Sequence, residues 1–310
     1  MQATYFASPV TTGMRHMDYY ISGSLTKPAQ GAQEHYREKL VTVEGTGFCF
    51  NYSIQPEVAG INPDRQSLGI PERAVAFISW ANLLKIIPEV RETWAKILAA
   101  VPDSVLVLYP FSPTWSNSYS RMPFVSKMRA IMEKYGVESS RLILLEALPS
   151  RALVKAVLKV ADVYLDSYPY AGANSTADPL EVGVPVVVMD GNCLRARQGA
   201  ALLRSLGLFD LIAGGEEEYI RLSVALGKNP ELRGQWRERI VRKMQQNPSF
   251  FDSRAYSAQM GAVLQELVRM SGLGTGGTDV GNIPLKQRLS PSPPVPPLSH
   301  EELRLIHKSL

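Results

Sequence analysis

The sequence predicts a doubly wound α/β fold, in which helices cover both faces of a parallel sheet. From Ala74 onward, short apolar runs alternate with longer amphipathic stretches, the pattern of strands joined by crossover helices. The apolar runs are nearly continuous, as expected for strands that are covered on both faces. Several runs end in glycine and polar residues. Ligands bind at the carboxyl edge of such sheets, so the search for function begins there.

Five strands and eight helices are predicted from hydrophobic periodicity. The strands are Val75–Ser79, Val105–Tyr109, Leu142–Leu145, Val163–Asp166 and Val186–Met189. The helices that connect them are about Pro88–Ala100, Pro123–Tyr135, Arg151–Val160, Ser175–Val182 and Leu194–Ser205. Helical periodicity then continues through Glu216–Leu226, Pro230–Gln246 and Ser253–Met270.

The chain divides into three predicted regions. Residues 65–270 form the α/β lobe, and residues 1–64, which lack a clear strand–helix alternation, are predicted to be the end of another lobe. Residues 271–310 contain the run Ser290–Pro297 and are glycine-rich before it, so we expect a disordered or polyproline II tail. This tail is interpreted as a linker, with docking to an SH3-like partner as the alternative.

Composition excludes several classes of protein. The 310 residues carry a net charge of +4, but basic and acidic residues are interspersed, which argues against a nucleic-acid-binding protein. Cys49 and Cys193 are far apart and predict neither a disulfide framework nor a metal site. No apolar run of about 18 residues occurs, and the first residues do not resemble a signal peptide. We therefore expect a cytoplasmic protein that needs no metal or other cofactor and does not contact membranes.

A strand-to-helix turn between Leu165 and Asp178 is the most informative segment. Gly172 and Ala173 allow the backbone to approach a ligand closely, and Asn174 or Ser175 can cap the helix that follows. Because a helix N-terminus presents free amides and a positive dipole end, the turn predicts a diphosphate site.

Asp178 lies in the first turn of the same predicted helix. A carboxylate there can accept hydrogen bonds from ribose hydroxyls, as acidic residues do in dinucleotide-binding folds. The alternative is that Asp178 only complements the helix dipole and that Asn174 only caps the helix.

Two further segments follow predicted strands. Asn82–Lys85 comes after the first strand of the lobe, where a lysine can neutralise a diphosphate leaving group, although many loop lysines are only solvated. Asp190–Arg197 is a strand end, a glycine turn and a helix start that carries cationic side chains. Both segments are expected at the same sheet edge as the phosphate turn.

Taken in chain order, these motifs resemble the donor-binding lobe of the protein O-GlcNAc transferases, which are family 41 glycosyltransferases. Those that carry the resemblance are Leu68–Pro71, Lys85–Pro88, Trp94–Ser104, Ala161–Asp166, the phosphate turn, Gly183–Val187, Gly191, Leu194, Arg197 and Leu206–Gly207. Earlier in the chain, Pro9–Gly13, Met17–Ile21 and Tyr36–Leu40 are similar to the end of that family's first catalytic lobe.

The resemblance implies a GT-B architecture, in which two Rossmann-like lobes enclose a nucleotide sugar and the C-terminal lobe holds UDP without a metal. By the same resemblance, Lys85 contacts the diphosphate, Asn82 lies beside the nucleotide, and the amides of Asn174–Thr176 hold phosphate. Asp178 binds ribose, and Arg197 is among the expected donor-binding residues.

The implied reaction is transfer of GlcNAc, or a related sugar, from a UDP-sugar to a serine or threonine of an acceptor protein. Lys85 is the candidate catalytic residue, because its cation and the helix N-terminus can stabilise the departing UDP. Alternatives are a protein N-glucosyltransferase, a protein O-fucosyltransferase, or a non-catalytic nucleotide-sugar-binding or interaction module.

Histidine content departs from the family pattern. The family usually has a histidine where this chain has Ala173, and often another near Leu153 or Val154. The four histidines lie outside the predicted core lobe, at His16, His35, His300 and His307. Most of the first lobe and the tetratricopeptide helices of that family are also missing. We therefore expect these 310 residues alone to bind the donor with little transfer.

Overall fold

The chain separates into two units, Met1–Glu266 and Leu267–Leu310. The structure is a computed structural model, and it describes residues 1–6, 9–28, 30–52, 63–109, 122–146, 148 and 150–272. All elements below belong to the first unit, except that the last helix continues into the second and ends there at Met270. Apart from residues 271 and 272, the predicted tail lies outside the described residues.

A six-stranded parallel sheet forms the centre of the first unit, in the order β6-β5-β4-β7-β8-β9. Its strands are β4 (Val75–Ser79), β5 (Ser104–Leu108), β6 (Leu142–Leu144), β7 (Val163–Leu165), β8 (Val186–Met189) and β9 (Ile212–Ala213). The chain order reverses between β4 and β7, which is the switch point where doubly wound sheets bind ligands. The predicted doubly wound α/β fold is confirmed.

Eight α-helices lie within the described ranges, at positions close to those predicted. They are α1 (Pro88–Ala100), α2 (Met122–Lys134), α3 (Arg151–Leu158), α4 (Asn174–Glu181), α5 (Leu194–Ser205), α6 (Glu216–Lys228), α7 (Pro230–Met244) and α8 (Ser253–Met270). Strand β9 was not predicted, because two residues are too few to establish a periodic pattern.

The sheet is buried because its strands are apolar on both faces. Phe77 and Ile78 of β4 and Leu106 of β5 are fully buried, and each such side chain stabilises the fold by about 1.5–3 kcal/mol. Trp94 of α1 packs in the same core, where its indole nitrogen donates to the Tyr219 hydroxyl of α6 at 3.4 Å. This hydrogen bond joins α1 to α6.

A separate three-stranded parallel sheet precedes the lobe. It consists of β1 (Ala3–Tyr5), β2 (Tyr19–Gly23) and β3 (Lys39–Val43), in that order. At the last residue of β2, a Cβ on Gly23 would lie 2.2 Å from the carbonyl carbon of Thr46, so only glycine permits this approach. The sequence did not predict these strands, and the proposed boundary between residues 64 and 65 stays a prediction.

Candidate functional site

The residues predicted to bind the donor follow three neighbouring strands of the central sheet. Asn82 and Lys85 follow β4, the phosphate turn follows β7, and Arg197 follows β8. Because β4 pairs with β7 and β7 with β8, their carboxyl ends lie side by side. A hydrogen bond joins the first two segments: Lys85 Nζ donates to the Ala171 carbonyl oxygen at 3.0 Å.

Asp166 organises the turn after β7. Its carboxylate accepts from the Gly172 N–H at 2.8 and 3.1 Å and from the Ser167 N–H at 2.9 Å. Its carbonyl oxygen accepts from the Tyr219 hydroxyl at 2.7 Å. Burial raises the pKa of Asp166 to about 6, and the Gly172 N–H and the Lys85 charge oppose that rise. A buried carboxylate therefore fixes the backbone that faces Lys85.

Two glycines make this turn possible. A Cβ on Gly172 would lie 2.4 Å from the hydroxyl oxygens of Ser175 and Thr176, and 2.9 Å from Asp166 Oδ1. A Cβ on Gly199, in α5, would lie 2.4 Å from Asp166 Oδ2. Gly172, predicted as a point of close approach to a ligand, is thus also required by the protein's own packing.

Lys85 ends a 3-10 turn, Leu83–Lys85, at the carboxyl end of β4. Asn82 caps this turn, since its Oδ1 accepts from the Leu84 N–H at 3.0 Å. The ammonium group of Lys85 lies 3.9 Å from the centre of the Tyr170 ring. Burial lowers the pKa of Lys85, and the charge of Asp166 opposes this effect. The lysine is therefore oriented towards the phosphate turn and is not a freely solvated loop residue.

Helix α4 begins differently from the prediction. Asn174 is its first residue and Ala173 the N-cap, with no side-chain hydrogen bond, so neither Asn174 nor Ser175 caps it. The N–H groups of Thr176 and Ala177 donate to the Ala173 carbonyl oxygen at 3.1 and 3.0 Å. Because Thr176 already has this acceptor, the amides best placed for a phosphate are those of Asn174 and Ser175.

Asp178 lies in the second turn of α4 and is only 8% exposed. Arg151, the first residue of α3, donates from Nε to Asp178 Oδ1 at 2.9 Å and also pairs with Glu181. Burial raises the pKa of Asp178 to about 6, and the charge of Arg151 opposes the rise. Binding of ribose by Asp178 stays a prediction, and Arg151 is an unexpected partner of this carboxylate.

Arg197 is held by residues of the loop after β8. Its Nη1 donates to the Gly191 carbonyl oxygen at 3.0 Å and to Asp190 Oδ2 at 3.2 Å. Arg204 binds the same carboxylate at 2.5 Å. Burial lowers the pKa of Arg197, with Asp190 opposing. Asp190 already compensates this positive charge, and donor binding by Arg197 stays a prediction.

The N-terminal sheet reaches the start of α5. Tyr20 of β2 and Tyr36 pack with Leu194, and the two tyrosine rings lie 4.4 Å apart. The Ala171 N–H of the phosphate turn donates to the Arg195 carbonyl oxygen at 2.9 Å. The first residues of α5 therefore contact both the N-terminal sheet and the phosphate turn.

Sequence reasoning did not assign roles to Asp166, Tyr170, Arg151 or Asp190. Asp166 and Asp190 each follow a strand directly, a position that could have indicated a loop-organising role. Tyr170 and Arg151 carried no such signal, because their roles arise from contacts between segments distant in sequence.

Comparison with known proteins gives a consistent result. The sequence profile described as "Glycosyl transferase family 41" matches residues 55–260. Proteins described as "Probable UDP-N-acetylglucosamine--peptide N-acetylglucosaminyltransferase SPINDLY" are 34% identical in Petunia hybrida and 35% in Arabidopsis thaliana, each over 229 residues. Each alignment covers 74% of this chain, and 23% of the Petunia and 24% of the Arabidopsis protein. The chain thus spans about a quarter of these relatives.

A solved structure shares the fold. A mutant O-GlcNAc transferase of Thermobaculum terrenum superposes with a TM-score of 0.72 at 30% identity, covering 87% of this chain and 49% of that one. Together with the sequence relatives, it confirms the resemblance to the catalytic region of family 41 enzymes and the Rossmann-like GT-B lobe.

Two features are absent from the described part of the chain. No helix there is long and apolar enough to cross a bilayer. Nor do three or more histidine, cysteine, aspartate or glutamate side chains come together there in a way that could hold a metal ion. Metal independence stays a prediction.

Proposed function

Because the chain belongs to glycosyl transferase family 41, we propose that it provides the donor-binding lobe of a UDP-sugar-dependent protein glycosyltransferase. The observation that carries the proposal is the contact of Lys85 with the turn before α4. A partly buried cation and a helix N-terminus without a side-chain cap meet at the switch point of the sheet, where a diphosphate would receive positive charge from both.

The proposed chemistry is group transfer to a protein hydroxyl. A serine or threonine oxygen of the acceptor attacks the anomeric carbon, its proton passes to solvent, and the bond from that carbon to the diphosphate oxygen breaks. Negative charge develops on the departing UDP, where Lys85 and the amides of Asn174 and Ser175 stabilise it. Such preorganised charge stabilisation typically contributes about 3–4 kcal/mol for each donor group.

The remaining predicted residues bind the nucleotide in this proposal. Asp178 accepts hydrogen bonds from the ribose hydroxyls, Asn82 lies beside the nucleotide, and Gly172 and Ala173 allow the phosphate to approach the backbone. Arg197 stabilises the loop that follows β8, at the same edge of the sheet, through its hydrogen bonds to Asp190 and Gly191. No cofactor or metal takes part, because Lys85 and α4 supply the positive charge.

The donor and acceptor are proposed from relatives whose names specify UDP-N-acetylglucosamine and peptide. We propose UDP-GlcNAc as donor, an acceptor protein as partner and a cytoplasmic location. A GT-B site lies between two lobes, so acceptor positioning is proposed to need parts of the family fold that these residues do not span. The N-glucosyl, O-fucosyl and non-catalytic alternatives share the donor site described here.

Calorimetric titration with UDP, in EDTA and then with magnesium or manganese, tests the donor site. We expect binding of equal affinity in all three buffers, with uridine binding more weakly because it lacks the diphosphate. A requirement for the divalent cation, or equal affinity for uridine and UDP, would overturn the proposal.

Transfer is tested separately, by intact mass of a serine- and threonine-rich acceptor incubated with UDP-GlcNAc, UDP-glucose or GDP-fucose. The chain is assayed alone and joined to the family's first lobe. A mass increase from UDP-GlcNAc supports the enzyme. If all three donors give no transfer in the joined protein while UDP still binds, the non-catalytic binding module is favoured.

A further inference from the structure

The Arg151 guanidinium contacts a single oxygen of the Asp178 carboxylate. Its Nε donates to Oδ1 at 2.9 Å, and its Nη2 lies 2.7 Å from the same Oδ1. Both contacts are on one side of the carboxylate, so this guanidinium leaves Oδ2 for another donor. The Asp178 side chain is 12% exposed, so the protein does not enclose it completely.

Arg151 is itself held in place by two other side chains. Its guanidinium lies 3.4 Å from the centre of the Tyr52 ring, and it forms an ion pair with Glu181, one turn after Asp178 on α4. The Tyr52 ring is stacked in turn on Phe50, with ring centres 5.7 Å apart. A guanidinium fixed by an aromatic face and two carboxylates presents its fork in one orientation.

The position of Asp178 suits a nucleotide bound at α4. It lies four residues after Asn174, the first residue of the helix, and residues at this spacing share one helix face. Along the axis, the Cα atom of Asp178 lies about 6 Å beyond that of Asn174, and its side chain tilts back towards the helix start. A ligand bound through phosphate at the helix start would place its next polar groups over this face.

Electrostatics gives Arg151 a second effect on Asp178. Burial favours the protonated carboxyl, which has one acceptor oxygen fewer than the ionised form. Arg151 and Lys155 oppose this effect, and Glu181 reinforces it. The charged and titratable groups that face Asp178 are Arg151 and Lys155 of α3, Glu181 of α4, Tyr52, and Tyr164 of β7.

We propose that Arg151 is a positioning residue for donor recognition, which holds the Asp178 carboxylate by Oδ1 and turns its Oδ2 towards the ribose hydroxyls of the nucleotide. The inference rests on the proposed function, in which Asp178 binds ribose. It adds a residue from a different helix that never touches the ligand but determines how strongly the ribose hydroxyls are recognised.

The test measures ribose-hydroxyl recognition as the ratio of two dissociation constants, that of 2′,3′-dideoxy-UDP over that of UDP. For the unaltered protein we expect a ratio of about 10 to 100, as for loss of a charged hydrogen bond. Arg151→Met should bring the ratio to about 1, because it weakens the binding of UDP and leaves the binding of dideoxy-UDP nearly unchanged. The matched control is Lys159→Met, which removes an exposed cation at the end of the same helix and should leave the ratio within about twofold.

Asp178→Asn separates the two possible failures. If it leaves the ratio unchanged, the ribose assignment fails and this inference fails with it. If Asp178→Asn brings the ratio to about 1 but Arg151→Met does not, only the positioning role of Arg151 is overturned. Equal weakening of both nucleotides by Arg151→Met would also overturn it, since that result indicates a purely structural role.

A second variant covers the case in which Arg151→Met does not fold. Arg151→Lys keeps the positive charge but lacks the planar fork. We expect a folded protein whose ratio is at least about threefold lower than that of the unaltered protein. An unchanged ratio in this variant would overturn the proposal.

Discussion

Lys85 Nζ donates a hydrogen bond of 3.0 Å to the Ala171 carbonyl oxygen, from a position 86 residues earlier in the chain. The two residues follow neighbouring strands, β4 and β7, at the point where the order of the sheet reverses. Because the Tyr170 ring lies on the same ammonium group, the lysine is oriented before any ligand arrives. Such preorganisation is expected at a site that stabilises a developing charge.

Lys85→Met should weaken UDP binding by about 1.5–3 kcal/mol, the range for a hydrogen bond to a charged group, and leave uridine binding nearly unchanged. Calorimetry with both ligands measures the difference. Lys159→Met removes an exposed lysine after α3 and is the matched control, for which we expect no change with either ligand. Equal loss of UDP and uridine affinity in Lys85→Met would contradict a diphosphate contact.

Asp178→Ala should weaken UDP binding by about 1–3 kcal/mol, because it removes a charged hydrogen-bond acceptor for the ribose. Titration calorimetry at pH 7.5 measures the loss, and thermal unfolding checks that the variant is folded. An unchanged affinity in the folded variant would return Asp178 to the role of complementing the helix dipole and binding Arg151.

Donor affinity should fall as pH drops through about 6. The pKa of Asp178 is raised to about 6, so the carboxylate is ionised above that pH and increasingly protonated below it. An acceptor for ribose hydroxyls is then lost. UDP-GlcNAc is the probe, because both its phosphates are esterified and neither has the second ionisation near pH 6 of a terminal phosphate. Binding by Asp178→Asn, weaker throughout, should lack this step, and an identical step in both proteins would assign it to another group.

Gly172→Ala should destabilise the fold by about 1–3 kcal/mol, the usual cost of overpacking. The added Cβ would lie 2.4 Å from the Ser175 and Thr176 hydroxyl oxygens, and the turn that binds Lys85 would have to shift. Urea unfolding and UDP titration should both report the change. Gly234→Ala within α7, where a Cβ meets nothing within 4 Å, is the control and should be neutral or slightly stabilising. If both variants behave alike, the close packing at Gly172 is not essential.

Glu38→Gln should lower the free energy of unfolding at pH 7 by about 2–3 kcal/mol. Glu38 is buried, which by itself favours the protonated form, but hydrogen bonds from Thr11 and Thr12 lower its pKa from 4.5 to about 2. Between pH 4.5 and 2 the unfolded chain binds a proton at Glu38 more readily than the folded protein does. The stabilisation is therefore present above pH 4.5 and is lost as pH falls through about 2.

Urea unfolding between pH 2 and pH 7 measures this effect, with the exposed Glu44→Gln as the control. The difference in stability between the unaltered protein and Glu38→Gln should shrink as the solution is acidified. A difference that stays constant across the range would indicate that packing, and not the ionised carboxylate, accounts for the loss.

Much of the α/β lobe was predictable from sequence because its signals are local. Continuous apolar runs specified β4 and β8, and amphipathic periodicity specified α1 and α5 to the residue. Strands β1 to β3 were not predicted, since short mixed segments become strands only through pairing with one another. The predicted cap of α4 was also wrong. Asn174 and Ser175 are residue types that often cap helices, but the N-cap of α4 is Ala173.

The sequence by itself placed Lys85, the phosphate turn and Arg197 at one edge of the sheet, because each comes after an apolar run that forms a strand. The tertiary structure made those strands neighbours. Only the tertiary structure decided the partner of each charge: Ala171 for Lys85, Arg151 for Asp178, and Asp190 for Arg197. Periodicity records which side of an element faces the core, whereas the choice of partner depends on distances between segments far apart in the chain. Those distances are set when the helices pack on the sheet.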